Sequence, residues 1–432
     1  FCAVAGDAQR DLLRHRAARQ EDGGLVPEQR GDLGLELREP GRLPVLVRRD
    51  VVGHGGGELG ELAPWRRPTR RMVGERLRAP GAHRDDARID HRAPSVADVG
   101  HADAIRHATP RTVTTGDVAL YNGLFAPRFA VQSSDEFARR IGYARAPLDD
   151  LLVFHVVFGK TVPDISLNAV ATLGYADFRF LKPVYPGATL NAVSEVIGLK
   201  ENSNRKTGIV YVRSRGFDET GEPVLDYVRW VMVRKRDETA AAPVEQIPEL
   251  PKAVPASALG LACPRIDRGA YDAALSGSPH RFGDYAAGEK IDHVDGMAVE
   301  EAEHQIATRL YQNTARVHFN LFAQTKDRFG KRLVYGGHAI SLARALSFNG
   351  LGNAFHIAAI NGGRHVAPLF AGLTVFAWSE VLETAALPGR DDVGALRLRT
   401  IATKDRPCAD FPLKNGDDYD PAVILDLDYW VL

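Results

Sequence analysis

Three cysteines in 432 residues (Cys2, Cys263 and Cys408) are too few and too scattered for a disulfide framework or a cysteine-based zinc site. A reducing, cytoplasmic compartment is the expectation. No apolar run approaches the roughly 18 residues of a membrane span. The N-terminus lacks the charged-then-apolar pattern of a signal peptide. Neither sign of charge prevails: Lys+Arg and Asp+Glu are each 55, a formal net charge of +0. That argues against a nucleic-acid binder working through bulk charge. Phe1 is not a start methionine, which points to a fragment, a processed product or a miscalled start. What the chain does have is 44% hydrophobic and 25% charged residues, enough for a sizeable core in two or three domains.

Scarcity is sharpest in residues 1–104, which hold no Lys, Asn or Tyr and a single Phe, Ile, Ser and Thr each. Arginine is frequent, as in Trp65-Arg66-Arg67-Pro68-Thr69-Arg70-Arg71, yet 18 Arg face 17 Asp+Glu. Such a Gly/Pro/Arg-rich stretch offers little to bury against its ordering entropy. It reads as a disordered extension or, preferably, as translated GC-rich DNA that is not native protein.

From Ile105 onward the chain repeats itself. Ile105-Arg106-His107 matches Ile291-Asp292-His293, 186 residues on. Pro183 and Gly187 match Pro368 and Gly372, and Ser194-Glu195-Val196 matches Ser379-Glu380-Val381. Leu225-Asp226 and Trp230-Val231 match Leu425-Asp426 and Trp430-Val431, 200 residues on. The second copy therefore carries an insertion around Cys408 to Pro421. In each copy an amphipathic helix (Gly116 to Leu124; Val299 to Tyr311) precedes an irregular segment and then a helix apolar on most sides (Asp150 to Phe158; Gly337 to Leu346). Alternating stretches rich in Val, Ile, Tyr and Trp follow: Thr189 to Ile197, Thr207 to Phe217 and Val224 to Arg234, then Leu373 to Leu382, Ala395 to Thr403 and Val423 to Leu432. The pattern predicts an α+β fold in tandem, with copies at 105–236 and 266–432. Five prolines in 237–265 predict an extended surface linker that lets the copies pair as a pseudo-dimer.

A helix wrapped by an antiparallel sheet, duplicated, with Asn-x-x-x-x-His before the second buried helix, resembles the MaoC-like double hot-dog hydratases. Two blocks narrow the resemblance to the mesaconyl-CoA hydratases (β-methylmalyl-CoA dehydratases). They are Phe158-Gly159-Lys160-Thr161-Val162-Pro163-Asp164, and Ala307-Thr308-Arg309-Leu310-Tyr311-Gln312-Asn313-Thr314-Ala315-Arg316-Val317-His318-Phe319-Asn320. The resemblance covers about 105 to the C-terminus. The acidic-aromatic-Gly opening of the second copy, Phe282 to Gly288, has only Ala97-Asp98-Val99-Gly100 in the first. It implies reversible hydration of mesaconyl-CoA to β-methylmalyl-CoA, a place in bacterial carbon assimilation (the ethylmalonyl-CoA pathway), and possible homo-oligomers of double hot-dog subunits. It implies no metal or redox cofactor, CoA being part of the substrate, and neither nucleic acid nor membrane as partner.

Hydrating an α,β-unsaturated thioester needs a base for water, a proton for the α-carbon and stabilisation of the enolate oxygen. The resemblance places Asn313 and His318 at the acid–base positions, where His318 suits a base near neutral pH. Asn313 cannot carry a proton, so His318 itself can return it. Gln132 and Pro127 match His318 and Asn313 in the first copy, and neither is a base: the first copy is expected to shape the pocket only. Gly336 and Gly337 open the second buried helix as an oxyanion site. The matching Asp150 and Leu151 suggest a capped helix instead. Arg316 is the candidate partner for the substrate carboxylate, with Tyr335, Arg364 and His365 as further pocket residues. Lys200, Arg205, Lys206 and Arg213 read as a solvated basic edge. Two other functions fit the same fold: an acyl-CoA thioesterase, and a non-enzymatic acyl-CoA-binding module.

Overall fold

A computed structural model describes residues 104–432 apart from Asn168. The expectation for 1–104 lies outside the described residues except at Ala104.

Ten strands follow one another side by side in a single antiparallel sheet. The first copy supplies β1 (Ala104–Arg106), β2 (Arg111–Thr112), β3 (Ala169–Phe180), β4 (Thr189–Glu201), β5 (Thr207–Phe217) and β6 (Pro223–Arg234). The second supplies β7 (Lys290–Asp292), β8 (Met297–Ala298), β9 (Ile357–His365), β10 (Thr374–Ala386), β11 (Gly394–Lys404) and, after a small hairpin of β12 (Lys414–Asn415) and β13 (Asp418–Tyr419), β14 (Val423–Val431). Their order is β1-β4-β5-β6-β3-β9-β14-β11-β10-β7, with β2 on β4 and β8 on β10. Reading inward from either edge gives the same sequence of corresponding strands, as the repeat demands. The seam is β3–β9, where Phe178 faces Ile360 and Arg179 faces Ala359. The β12–β13 hairpin is the insertion seen in the sequence.

Sequence patterning locates the outer strands well, because β4 alternates buried and half-buried residues almost without fault. The two seam strands escape it. Ala169–Phe180 is broken by Gly174 and small residues, and Ile357–His365 by Gly362-Gly363, so neither shows the period of a half-buried strand.

Each copy wraps one helix. Helix α1 (Thr115–Phe125) precedes α2 (Asp150–Thr161), and α3 (Glu301–Leu310) precedes α4 (Gly336–Leu346). Every residue from Leu151 to Thr161 and from Gly337 to Leu346 is buried. One continuous apolar core includes Leu152, Phe154 and Val157 of α2 together with Ile340, Leu342 and Leu346 of α4. Gly159 lets α2 pass against the second copy, since a Cβ there would overlap the Tyr311 carbonyl.

A polar relay accounts for two of the repeated blocks. His107 Nε2 meets Ser194 Oγ at 2.7 Å and Ser194 meets Ser214 at 2.7 Å. In the second copy His293 Nε2 meets Ser379 Oγ at 2.7 Å and Ser379 meets Thr400 at 2.6 Å. Buried hydroxyls must find partners, and each copy solves the problem alike. Leu225-Asp226 and Leu425-Asp426 repeat because each aspartate grips an arginine of the neighbouring strand: Arg213 at 2.9 and 2.8 Å, Arg399 at 3.0 and 2.7 Å. Arg213 is thereby engaged within the sheet rather than free on a basic edge.

The linker is less superficial than its prolines suggest. Gln246 pairs with Leu199 at the edge of β4, and Val254, Leu259, Ala262 and Cys263 are buried. The segment reaches from β4 to β9, where the Val254 N–H donates to Asn361 Oδ1 at 2.8 Å, instead of merely crossing the surface.

Candidate active site

The chain leaves α3 through Gln312, whose backbone lies in the left-handed region (φ 53°). This reversal delivers Asn313, 5% exposed. Its Oδ1 accepts the Ala315 N–H at 3.0 Å, an Asx-type turn that starts the single-turn helix Arg316–Phe319. His318 is half-buried on that turn. Its Nδ1 donates to the Leu333 carbonyl at 2.9 Å, while the Leu333 N–H donates to the Val317 carbonyl at 3.0 Å. Because a carbonyl can only accept, the proton belongs on Nδ1 and the lone pair on Nε2. Burial pushes the imidazole down to about 4, so it is neutral throughout the ordinary pH range.

Asn313 and His318 share no hydrogen bond. The carboxamide oxygen accepts a hydrogen bond within the turn that carries the histidine.

Tyr335 links the base to the second buried helix: its ring centroid is 5.5 Å from that of His318. Tyr335 is also the residue before α4 and provides no side-chain cap. The N–H groups of Gly336 and Gly337 therefore stand at a positive helix end with no capping side chain. Both glycines also make room. A Cβ on Gly336 would come within 2.5 Å of His365 Nε2, and one on Gly337 within 2.5 Å of His155 Cε1. Close packing at both positions thus requires glycine. It brings a second imidazole, His365, beside the open helix end. Burial holds His365 at about 4 as well.

The remaining expected residues separate. Arg316 is exposed and its side chain has no hydrogen bond or ion pair with any described residue. Arg364 lies on β9 next to His365, and strand alternation turns it to the other face. There it sits near Tyr419, away from Gly336. Lys200 and Lys206 pair loosely with Glu245 (3.5 Å) and Glu238 (3.7 Å).

The sequence predicts that the first copy shapes the pocket, but not which of its residues lie there. The His155 ring of α2 lies tilted against Tyr311, centroids 4.6 Å apart, and shares a hydrogen bond with Ser341 Oγ at 2.9 Å. Tyr175 of β3 lies 6.3 Å from His365, and Phe158 lies 5.6 Å from Tyr335. The site is built between the copies. Arg229 is buried beside it, with its guanidinium 4.2 Å over the Phe158 ring. A signal existed: Leu225, Tyr227, Arg229 and Val231 share the inward parity of β6, and a charge at a core parity is anomalous.

The first copy's helix start is closed differently from expectation. Asp149, not Asp150, caps α2 through the Leu151 N–H at 2.9 Å. Asp150 instead reaches the second copy, meeting His356 Nδ1 at 2.8 Å and the Ile357 N–H at 2.8 Å. Gln132 donates to the Phe355 carbonyl at 2.7 Å and takes a structural part. A cavity of about 390 Å³ is bordered by Tyr271, Phe282, Tyr285, Phe355, Arg390 and Leu432. It contains none of the acid–base residues. Among the described residues no group of His, Cys, Asp or Glu is arranged to hold a metal, and no helix is long and apolar enough to cross a membrane.

Two hot-dog repeats in one sheet, with a histidine packed on the tyrosine that precedes an uncapped glycine helix start, define a double hot-dog protein of the MaoC-like class. The comparisons agree. A family model described as mesaconyl-CoA hydratase matches residues 102–412. The chain belongs to the mesaconyl-CoA hydratase family. It is 61% identical over 329 residues to a β-methylmalyl-CoA dehydratase of Chloroflexus aurantiacus, covering 76% of this chain and 93% of the relative. A mesaconyl-CoA hydratase of Cereibacter sphaeroides is 59% identical over 333 residues, covering 76% and 95%. A crystal structure of a MaoC domain protein from Chloroflexus aurantiacus superposes with a TM-score of 0.77 at 58% identity, covering 79% of this chain and 98% of its own. A Mycobacterium tuberculosis protein with a double hotdog fold shares the fold alone, with a TM-score of 0.60 at 24% identity.

Proposed function

We propose that this chain is a hydro-lyase that reversibly adds water to mesaconyl-CoA, giving β-methylmalyl-CoA. The observation that carries the reading is the placement of His318, proton fixed on Nδ1 and packed on the tyrosine that opens an uncapped helix. His318 Nε2 takes a proton from water as the hydroxyl forms its bond to the β-carbon. The electron pair of the double bond moves onto the thioester oxygen, which the Gly336 and Gly337 N–H groups receive. When the enolate collapses, the α-carbon takes the proton back from the His318 imidazolium. Atoms and charge balance with water as the only co-reactant, so the chemistry draws on side chains and backbone alone. The reading carries with it a cytoplasmic enzyme of carbon assimilation that assembles from double hot-dog subunits.

The test is a direct assay with mesaconyl-CoA, following loss of the conjugated thioester and the product mass. Formation of the hydrated thioester with CoA still attached is expected. Release of free thiol in its place would make the chain a thioesterase, and binding without either product a carrier.

A further inference from the structure

We propose that Arg229, supplied by the first copy, is the receptor for the substrate's free carboxylate. The inference rests on the hydratase reading and names the residue that sets its substrate class: unsaturated thioesters bearing a carboxylate, rather than plain enoyl thioesters.

Three described arginines are buried, and two are accounted for. Arg332 pairs with Glu301. Arg344 donates to the Ala354 carbonyl and to Ser347 Oγ. Arg229 is 0% exposed and uses one nitrogen, donating from NH2 to Thr161 Oγ1 at 2.7 Å. Its Nε and NH1 are buried without a hydrogen-bond partner. No described carboxylate lies within ion-pair distance of it, and its surroundings are the rings of Phe158, Tyr175, Tyr227 and Tyr335.

A buried cation left without an anion is unfavourable for the fold, and such a group is retained where a ligand completes it. An arginine matches a carboxylate in two-point geometry, and the low local dielectric strengthens the contact. Position agrees. Phe158, which the guanidinium covers, touches Tyr335, and Tyr335 touches His318. In mesaconyl-CoA the carboxylate is attached to the carbon that water attacks, so its receptor must lie close to the base. Arg316, being exposed, remains solvated and offers weaker discrimination.

The experiment compares the full chain with Arg229→Met, Arg229→Lys and Arg316→Ala on mesaconyl-CoA and on crotonyl-CoA, which lacks the carboxylate. Wild type is expected to favour mesaconyl-CoA. Arg229→Met should lower kcat/KM for mesaconyl-CoA by about 10²–10³-fold while changing crotonyl-CoA hydration little, with partial recovery in Arg229→Lys. Arg316→Ala should keep the preference. Because Arg229→Met removes an unpaired buried charge, its Tm should equal or exceed that of wild type. Equal losses on both substrates together with a lowered Tm would assign Arg229 to packing and overturn the inference. Collapse of the preference in Arg316→Ala would overturn it too. A measurement on wild type alone guards against a variant that fails to fold: inhibition by succinyl-CoA must be stronger than by butyryl-CoA, and equal inhibition refutes the proposal. A wild type that hydrates both substrates equally sinks this inference only. One that hydrates neither sinks the hydratase reading itself.

Discussion

The two copies share a strand order, a buried helix and a His–Ser relay, yet they start that helix in opposite ways. The first start is sealed: Asp149 caps it, and Asp150 ties it to His356 and Ile357 of the other copy. The second is left open: Tyr335, packed on His318, gives no cap, and the two glycines lie beside His365 and His155. Duplication thus left one helix end tied across the copies and the other without a side-chain cap. The first copy is not idle, however. Phe158, His155, Tyr175 and Arg229 make up one side of the site, so the division is between base and pocket rather than between active and inert.

That contrast can be broken most directly at the base. His318→Ala should lower the hydration rate by about 10²–10⁴-fold, whereas Gln132→Ala, its counterpart, should stay near wild type in steady-state assays. Comparable losses in both would end the asymmetry. Next comes the staple. Asp150→Ala strips His356 and the Ile357 N–H of their partner, and chemical denaturation should show a loss of about 1.5–3 kcal/mol. An unchanged midpoint would mean that the seam does not depend on it. Gly336→Ala should lower kcat by roughly tenfold through displacement of His365, with little change in Tm because the imidazole can rotate and alanine favours helix. A fall in Tm without loss of rate would leave the glycine a packing device only.

The smallest expected effect is on pH dependence. Because burial holds His318 near 4, the acid limb of kcat/KM should lie well below the usual histidine midpoint of about 6.5. Stability should move the same way. His155, His293, His318, His338 and His365 all have folded values of about 3 or 4, below their unfolded ones. The unfolded chain then binds more protons, so stability is full above about 6.5 and falls as pH drops toward 4. Melting curves at pH 7 and pH 5 check the sign, and a higher Tm at pH 5 would contradict it.

How far the site could be read in advance depends on distance along the chain. His318, Asn313 and the Gly336-Gly337 pair lie within one local stretch whose spacing is visible directly. Tyr335 was legible for the same reason. Arg364 failed because a strand's two-residue period puts adjacent residues on opposite faces, and β9 was not recognised as a strand. Arg229, Tyr175 and His155 lie 89, 143 and 163 residues before His318, and only pairing across the seam brings them in.

The sequence by itself determined the duplication, the two buried helices, the outer strands and the place of His318 just before the second buried helix, because periodicity and repeated spacing are local properties of a chain. Tertiary structure alone decided that the Asn313 carboxamide is engaged in the turn bearing His318, that Asp150 fastens the copies and that Arg229 is buried with two nitrogens unpartnered. Each of those depends on which groups remain without a partner once the core closes, and no single segment records that.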